Sequence, residues 1–329
     1  MTEVSVKDVA MLAQVSVGTV SNVLNRPDRV APATRDRVNG AIAQLGFVRN
    51  DAARQLRAGR SRTVGLVVQD IANPFFIDLA RGAEQRAKDF GYAILLGNSD
   101  LQDDQESTYL ELFREQRVSG LLLSPLHESL HALQPVLRQG IPIVLVDRDA
   151  SAQGFRSVSV DDVAGGALAA EHLIASGRRK LAYAGGDPSI RQIHDRLTGA
   201  RSIVSAVAHC SISPFSSKTL TVEDGRALGM ELGARVRDGD IDAIVAANDV
   251  VAIGVMQTLL AQGIRVPHDV AIIGYDDIAF ADSAAVPLSS IRQPSARIGA
   301  AAVDMLFEPS DDTSVVFRPE LTARASTGA

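Results

Sequence analysis

From Thr63 onward the sequence alternates between short apolar runs and amphipathic segments, and this alternation constrains the fold more than any other feature. The first runs are VGLVV, AILL, GLLLS, IPIVLV and SVSV, with helical patterns at 77–90, 105–116 and 130–139. In a second set, helical patterns at 165–176, 196–208, 224–237 and 249–262 alternate with KLAYAGG, KTLTV, AIVAA and VAIIGYD. Strands and helices in alternation form parallel sheets with helices on both faces. We therefore predict an α/β fold with two similar, doubly wound halves.

The first 46 residues show a different pattern, made only of short helices. Ser5, three residues before Asp8, and Ser16 are suited to cap the starts of two helices, and a third helix is predicted over 33–45, ended by Gly46. The outer face of the second helix is small and uncharged, with Val17, Gly18, Thr19, Ser21 and Asn22. Such a face suits contact with base edges and phosphates of DNA. The helix pattern alone fits an ordinary helical hairpin equally well.

Charge is divided unevenly along the chain. Residues 1–62 contain ten Lys and Arg against five Asp and Glu, whereas the whole chain has 33 and 39, which leaves 23 and 34 for the remainder. A basic head on an acidic body is typical of a protein that binds nucleic acid through one part only. A solvated basic face is the alternative explanation.

The remaining composition argues against several classes of protein. Cys210 is the only cysteine and the start of the sequence has no apolar signal-peptide core, so we expect a cytoplasmic protein. No apolar run reaches the length of a membrane span. The six histidines lack metal-ligand spacing and Cys210 lacks an activating partner, so we expect no enzyme activity, no metal site and no cofactor.

Four segments together resemble the lactose-repressor (LacI) family of bacterial transcription regulators. They are VKDVAMLAQVSVGTVSNVLN, VAPATRDRVNGAIAQLGFVRN, AARQLRAGRS and VGLVV, and the resemblance continues in order through the chain. It implies a ligand-responsive regulator, expected to be a repressor of sugar-utilisation genes that a small sugar releases from its operator. A co-repressor-dependent or global regulator of the same family is an alternative. A solute-binding protein or sugar-processing enzyme without DNA function is a second alternative, which the basic head opposes.

The resemblance also implies how the chain is divided. A helix-turn-helix domain is expected at 1–48, a hinge helix and linker at 49–62, and an effector-binding, dimerising body at 63–329. The body would resemble periplasmic binding proteins, with subdomain one at about 63–160 and 292–320 and subdomain two at about 161–291 and 321–329. The expected partners are a near-palindromic DNA operator, a second copy of the chain, and a pentose or related sugar.

Two groups of residues are expected to contact DNA. By resemblance, the helix-turn-helix contributes Ser5, Ser16, Val17, Gly18, Thr19, Ser21, Asn22, Asn25 and Arg29. The hinge contributes Asn50, Ala53, Arg54, Leu56 and Arg57. Gly18 has no side chain, so base readout there is weak and specificity must depend on Val17, Asn22 and DNA shape. Family members insert a residue matching Leu56 into the minor groove; a flexible linker is the alternative for this segment.

Polar residues follow the predicted strands, at the edge where doubly wound sheets bind ligands. Acidic, guanidinium and amide groups near two aromatic rings suit a polyhydroxylated ligand. These positions also resemble the family's sugar-binding positions, and they are Asn73, Phe75, Phe76, Asp147, Arg148, Arg196, Asn248, Asp276 and Gln293. Leu220 occupies a position where many relatives have a third aromatic ring, which argues against a planar ligand such as a purine. Each residue by itself could equally well cap a loop or form a surface ion pair.

Overall fold

The computed structural model describes residues 4–47, 61–126, 131–308 and 312–328. The chain separates into two compact units between Ser61 and Arg62. The first unit is helical, and the second contains two six-stranded sheets with helices. In the described ranges, no helix combines the length and apolarity needed to cross a membrane.

The N-terminal unit is built from three helices around a small apolar core. They are α1 (Val6–Leu12), α2 (Val17–Asn25) and α3 (Pro32–Leu45), with a short 3-10 turn at Pro27–Arg29. Val9, Val20 and Val38 are fully buried at its centre. The Ser16 hydroxyl accepts the Thr19 amide at 3.0 Å and so starts α2, as expected.

The larger unit begins with a sheet in the order β11-β5-β4-β3-β1-β2, all parallel. Its strands are β1 (Thr63–Val68), β2 (Ala93–Asn98), β3 (Leu121–Leu123), β4 (Ile143–Val146), β5 (Arg156–Val160) and β11 (Ser314–Phe317). Its helices are α4 (Pro74–Asp89), α5 (Asp103–Glu115), α6 (Gln134–Arg138) and α11 (Ser295–Phe307). We call this half lobe one. Its central strands are buried on both faces and read as continuous apolar runs, whereas the edge strand β2 is largely exposed.

The second sheet has the order β12-β10-β9-β8-β6-β7, parallel except for the β10–β12 pair. Its strands are β6 (Lys180–Ala184), β7 (Ser211–Phe215), β8 (Ala243–Ala246), β9 (Ala271–Asp276), β10 (Ser289–Arg292) and β12 (Glu320–Thr322). Its helices are α7 (Asp162–Ala175), α8 (Arg191–Ser205), α9 (Val222–Arg237) and α10 (Asp249–Ala261). This half, lobe two, repeats the architecture of lobe one. The predicted α/β class is therefore confirmed.

Three elements differ from the sequence pattern. KTLTV is not a strand, because Ser217 and Thr221 bond locally, to the Gly186 amide and at the start of α9, and the strand β7 lies earlier. The helix predicted at 196–208 begins at Arg191 instead. The helix predicted at 130–139 is a 3-10 turn, His131–Leu133, followed by α6, whose first turn contains a proline.

Candidate functional site

The outer face of α2 is the candidate DNA interface. Val17 is 45% exposed, and Gly18, Asn22 and Arg29 are also exposed. The predicted Ser16 and Thr19 hydroxyls lie 2.9 Å apart, so both also stabilise the start of α2. The Asn25 amide donates to the Ser21 carbonyl at 2.8 Å near the other end of the helix.

The remaining predicted DNA contacts are distributed less evenly. Ser5 is exposed, and its hydroxyl donates to Asp8 at 2.7 Å, so it acts in starting α1. The hinge residues predicted from the sequence, Asn50, Ala53, Arg54, Leu56 and Arg57, lie outside the described residues.

In the larger unit, the polar residues predicted from the sequence meet in a cleft between the two lobes. Asp147 directly follows β4 of lobe one and Asp276 ends β9 of lobe two. Both aspartates are about 95% buried, and their φ angles are 60° and 103°. Positive φ is uncommon outside glycine, so the surrounding structure must hold these two carboxylates in place.

Asp276 joins three parts of the larger unit. Its Oδ2 accepts the Asn73 side-chain amide of lobe one at 3.0 Å, and its Oδ1 accepts the Gln293 amide at 2.7 Å. Gln293 follows the crossover strand β10. Three residues that are distant in sequence therefore form one hydrogen-bonded group, as their positions after strands predicted.

Gln192 makes a second connection between the lobes. From α8 of lobe two, its Nε2 donates to the Asp147 carbonyl at 2.8 Å and to Asp147 Oδ2 at 2.9 Å. Sequence reasoning missed Gln192 because it started this helix at Arg196. With α8 beginning at Arg191, Gln192 lies four residues before Arg196 and hence on the same helix face.

Arg196 is buried and held from several sides. Its Nε donates to Asp162 at 2.8 Å, its Nη1 donates to the Ala247 carbonyl at 2.8 Å, and the guanidinium lies 3.7 Å from the Tyr275 ring centroid. The backbone of Arg196 packs so closely on α7 that a Cβ at Gly166 would overlap its carbonyl oxygen. Asp162, read from the sequence only as a helix cap, is therefore the ion-pair partner of a predicted ligand residue.

The buried carboxylates have strongly perturbed proton affinities. Burial raises the pKa of Asp147 to about 8, and the nearby charge of Asp162 adds to this effect. Burial also raises the pKa values of Asp162 and Asp276, and the Arg196 charge opposes the rise at both. Perturbed groups that cluster in a cleft are typical of functional sites.

The other predicted residues lie around this group with different local roles. The Phe75 and Phe76 rings are buried and contact each other edge to face, with centroids 5.0 Å apart. Asn248 accepts the Val251 amide at 2.9 Å and so caps α10, which is the alternative role considered for it. Arg148 is 6% exposed and its Nη2 donates to Gln153 at 3.3 Å. Leu220 is half-buried and packs against the apolar core of lobe two.

Two buried oxygens in this cleft have no hydrogen-bond partner within the described part of the chain, namely Asp147 Oδ1 and Gln293 Oε1. Both are acceptors, and a buried acceptor without a donor costs free energy. A hydroxyl group of a ligand would satisfy either one. Among the described residues, no group of three or more His, Cys, Asp or Glu could hold a metal ion.

Comparison with known proteins agrees with both sites. "Bacterial regulatory proteins, lacI family" matches residues 5–50, and "Periplasmic binding proteins and sugar binding domain of LacI family" matches residues 61–318. The ribose operon repressor of Bacillus subtilis (strain 168) is 34% identical over 328 residues, which covers 98% of both chains. A complex of the transcriptional regulator CelR with cellobiose is 31% identical, with a TM-score of 0.70, and the match covers 98% of this chain and 99% of that one. A Lac repressor dimer bound to operator and the anti-inducer ONPF is 25% identical, with a TM-score of 0.84, and all of both chains is covered.

Proposed function

The chain belongs to the LacI family of bacterial regulatory proteins, and on that premise we propose that it represses sugar-utilisation genes until a small sugar releases it from its operator. Membership makes it a ligand-responsive, DNA-binding regulator. The finer statements concern the ligand, the direction of the response and the partners. They rest on the cleft and on what the relatives bind.

The observation that carries this proposal is the pair of connections across the cleft. Asn73 with Asp276, and Gln192 with Asp147, join lobe one to lobe two through buried hydrogen bonds. A ligand that bonds to the same carboxylates changes how the lobes are held together. Relatives are named as a ribose operon repressor and as a complex with cellobiose, which supports a sugar as the ligand. A pentose or related sugar is our proposal within that class.

A second copy of the chain is the proposed protein partner. Strand β2 lies at the edge of the lobe-one sheet, with Leu95 and Leu96 38% and 42% exposed. An apolar edge strand is prone to unspecific association unless something covers it. A two-fold dimer would cover it and would place two copies of the helix-turn-helix on a near-palindromic operator.

The proposed switch uses the segment between head and body, with the hinge expected at 49–62. A sugar in the cleft would shift lobe one in each copy and change the distance between the two hinges, so that sugar and operator oppose each other. Such coupling typically amounts to about 1 to 3 kcal/mol, or roughly 5- to 150-fold in affinity, and it must be reciprocal. The protein would act by binding alone, without chemistry, in the cytoplasm where the chromosome lies.

The test compares operator binding with and without ribose or cellobiose. We expect sugar to release wild-type protein, and Asp276→Ala to keep operator affinity within about twofold but lose the response, because it removes an acceptor for ligand hydroxyls. Asp276→Asn retains the shape and should also lose most of the response. The exposed Asp238→Asn, at the end of α9, removes the same charge as a matched control and should respond normally.

Two results would contradict parts of this function. If Asp276→Ala still released operator at the wild-type sugar concentration, the cleft would not be the effector site. If sugar tightened operator binding, the cleft would stand and the direction of the switch would be reversed.

A further inference from the structure

The cleft contains more buried carboxylates than buried guanidinium groups. Asp147, Asp162 and Asp276 are at most 8% exposed, and Arg148 and Arg196 are 6% and 5% exposed. Charges interact more strongly where water is excluded. An anionic ligand would add a further negative charge to this surplus.

Both guanidinium groups already have partners in the protein. Arg196 donates to the Asp162 carboxylate and to the Ala247 carbonyl while its plane covers the Tyr275 ring. Arg148 donates to Gln153. A phosphate or carboxylate is usually recognised by a guanidinium that presents two parallel N–H groups to it. Neither arginine is available for that role without giving up a bond to the protein.

Most helix starts at the cleft are also unavailable to an anion. The first-turn amides of α4, α7 and α10 are capped by Asn73, Asp161 and Asn248, respectively. Helix α8 is the exception, because Ile190 provides no side-chain cap. The nearest cleft side chain on α8 is Gln192, whose amide is bonded to Asp147.

The unsatisfied polar atoms of the cleft are acceptors. Asp147 Oδ1 and Gln293 Oε1 are buried, and neither has a hydrogen-bond partner in the part of the protein that the structure describes. A sugar hydroxyl can donate to an acceptor, whereas an ionised phosphate or carboxylate can only accept. The cleft thus offers bonds to hydroxyl groups and repulsion to anions.

From these observations we propose that the cleft selects an uncharged, hydroxyl-rich sugar and rejects the phosphate ester or the acid of the same sugar. The inference rests on the proposed function and deepens it, since it specifies the chemical form of the effector. Asp147 is the main specificity-determining residue. Its carboxylate offers a buried acceptor and, with Asp162 and Asp276, supplies the surplus of negative charge.

The first experiment measures Kd by calorimetry on the full chain for matched pairs of compounds. Ribose is paired with ribose 5-phosphate, glucose with glucose 6-phosphate, and glucose with gluconate. We expect each neutral sugar that binds to do so at least roughly tenfold more tightly than its anionic counterpart, because a like charge in a buried site is strongly unfavourable. A phosphate ester that bound as tightly as its parent sugar would overturn the proposal.

The second experiment tests the cause through charge removal at one position. Asp147→Asn has nearly the same shape and should reduce the affinity ratio between sugar and ester several-fold. Asp238→Asn, on the far side of the lobe-two sheet, changes net charge equally and should leave the ratio unchanged. An unchanged ratio in Asp147→Asn would refute the electrostatic explanation, whatever happens to the two separate affinities.

Operator release separates this inference from the proposed function. If an ester releases operator and its parent sugar does not, the inference fails and the effector-controlled repressor stands. If no sugar, ester or acid of the panel binds or changes operator affinity, both fail. Release by the neutral sugar alone supports both.

Discussion

Replacement of Arg196 by methionine tests whether the cleft is held by a buried ion pair. The Arg196 side chain is 7% exposed and that of Asp162 is 9% exposed, with 2.8 Å between Nε and Oδ1. Methionine fills similar space but leaves the Asp162 carboxylate buried without its countercharge. The Ala247 carbonyl and the Tyr275 ring also lose their contact with the guanidinium.

The expected loss follows from these contacts. Breaking a buried pair by removing one partner costs about 3 to 5 kcal/mol, most of it from the uncompensated charge that remains. For a unit of this size, this corresponds to a fall in Tm of about 6 to 10 °C. Arg297 also stacks on a ring, that of Phe317, but it is exposed, so Arg297→Met is the matched control and should cost about 1 kcal/mol or less.

The pH dependence identifies the cause. Burial already raises the folded-state pKa of Asp162 above its ordinary value, and loss of Arg196 raises it further. A group with a raised folded pKa contributes stability that is present at low pH and is lost as pH rises through that pKa. The deficit of Arg196→Met should therefore be small near pH 5 and grow toward pH 8.

The assay is urea unfolding of the full chain at pH 5 and pH 8, followed by fluorescence and circular dichroism. The double variant Arg196→Met/Asp162→Asn should recover most of the loss at pH 8, because no buried charge remains. A deficit below about 1 kcal/mol, or one that is equal at both pH values, would refute the ion-pair reasoning.

Two further predictions concern packing and proton linkage. Gly166→Ala should destabilise the body by about 1 to 3 kcal/mol and weaken sugar binding, since its Cβ would overlap the Arg196 carbonyl, whereas Gly40→Ala in α3 meets nothing within 4 Å and should stabilise the head by about 0.5 to 1 kcal/mol; thermal unfolding and sugar titration of both variants check this. Because the pKa of Asp147 is raised to about 8, sugar affinity should increase from pH 6 to pH 8 as the accepting carboxylate forms, while the sugar-free body loses stability over the same range. Calorimetry at several pH values checks the linkage, and a pH response that persists in Asp147→Asn would assign it to another group.

Local signals in the sequence were sufficient for the helices of the head and for most strands of the body. Ser16 caps α2 through contacts within three residues, so neighbouring residues alone carry the information. Buried parallel strands must be apolar on both faces, which makes runs such as those of β1 and β4 visible in the sequence. The rule that ligands bind at the carboxyl ends of strands then brought Asn73, Asp147 and Asp276 to one cleft.

Only the tertiary structure decided how these residues are connected. Gln192 reaches Asp147 across 45 positions of sequence, and Arg196 pairs with Asp162 across 34. Both contacts depend on where α8 begins and on how closely Gly166 lets it approach α7. The sequence by itself determined which chemical groups stand at the strand ends, because chain direction and periodicity are local properties. Which group pairs with which was decided by packing between distant segments, because burial removes water as the alternative partner and each polar atom must then find one within the fold.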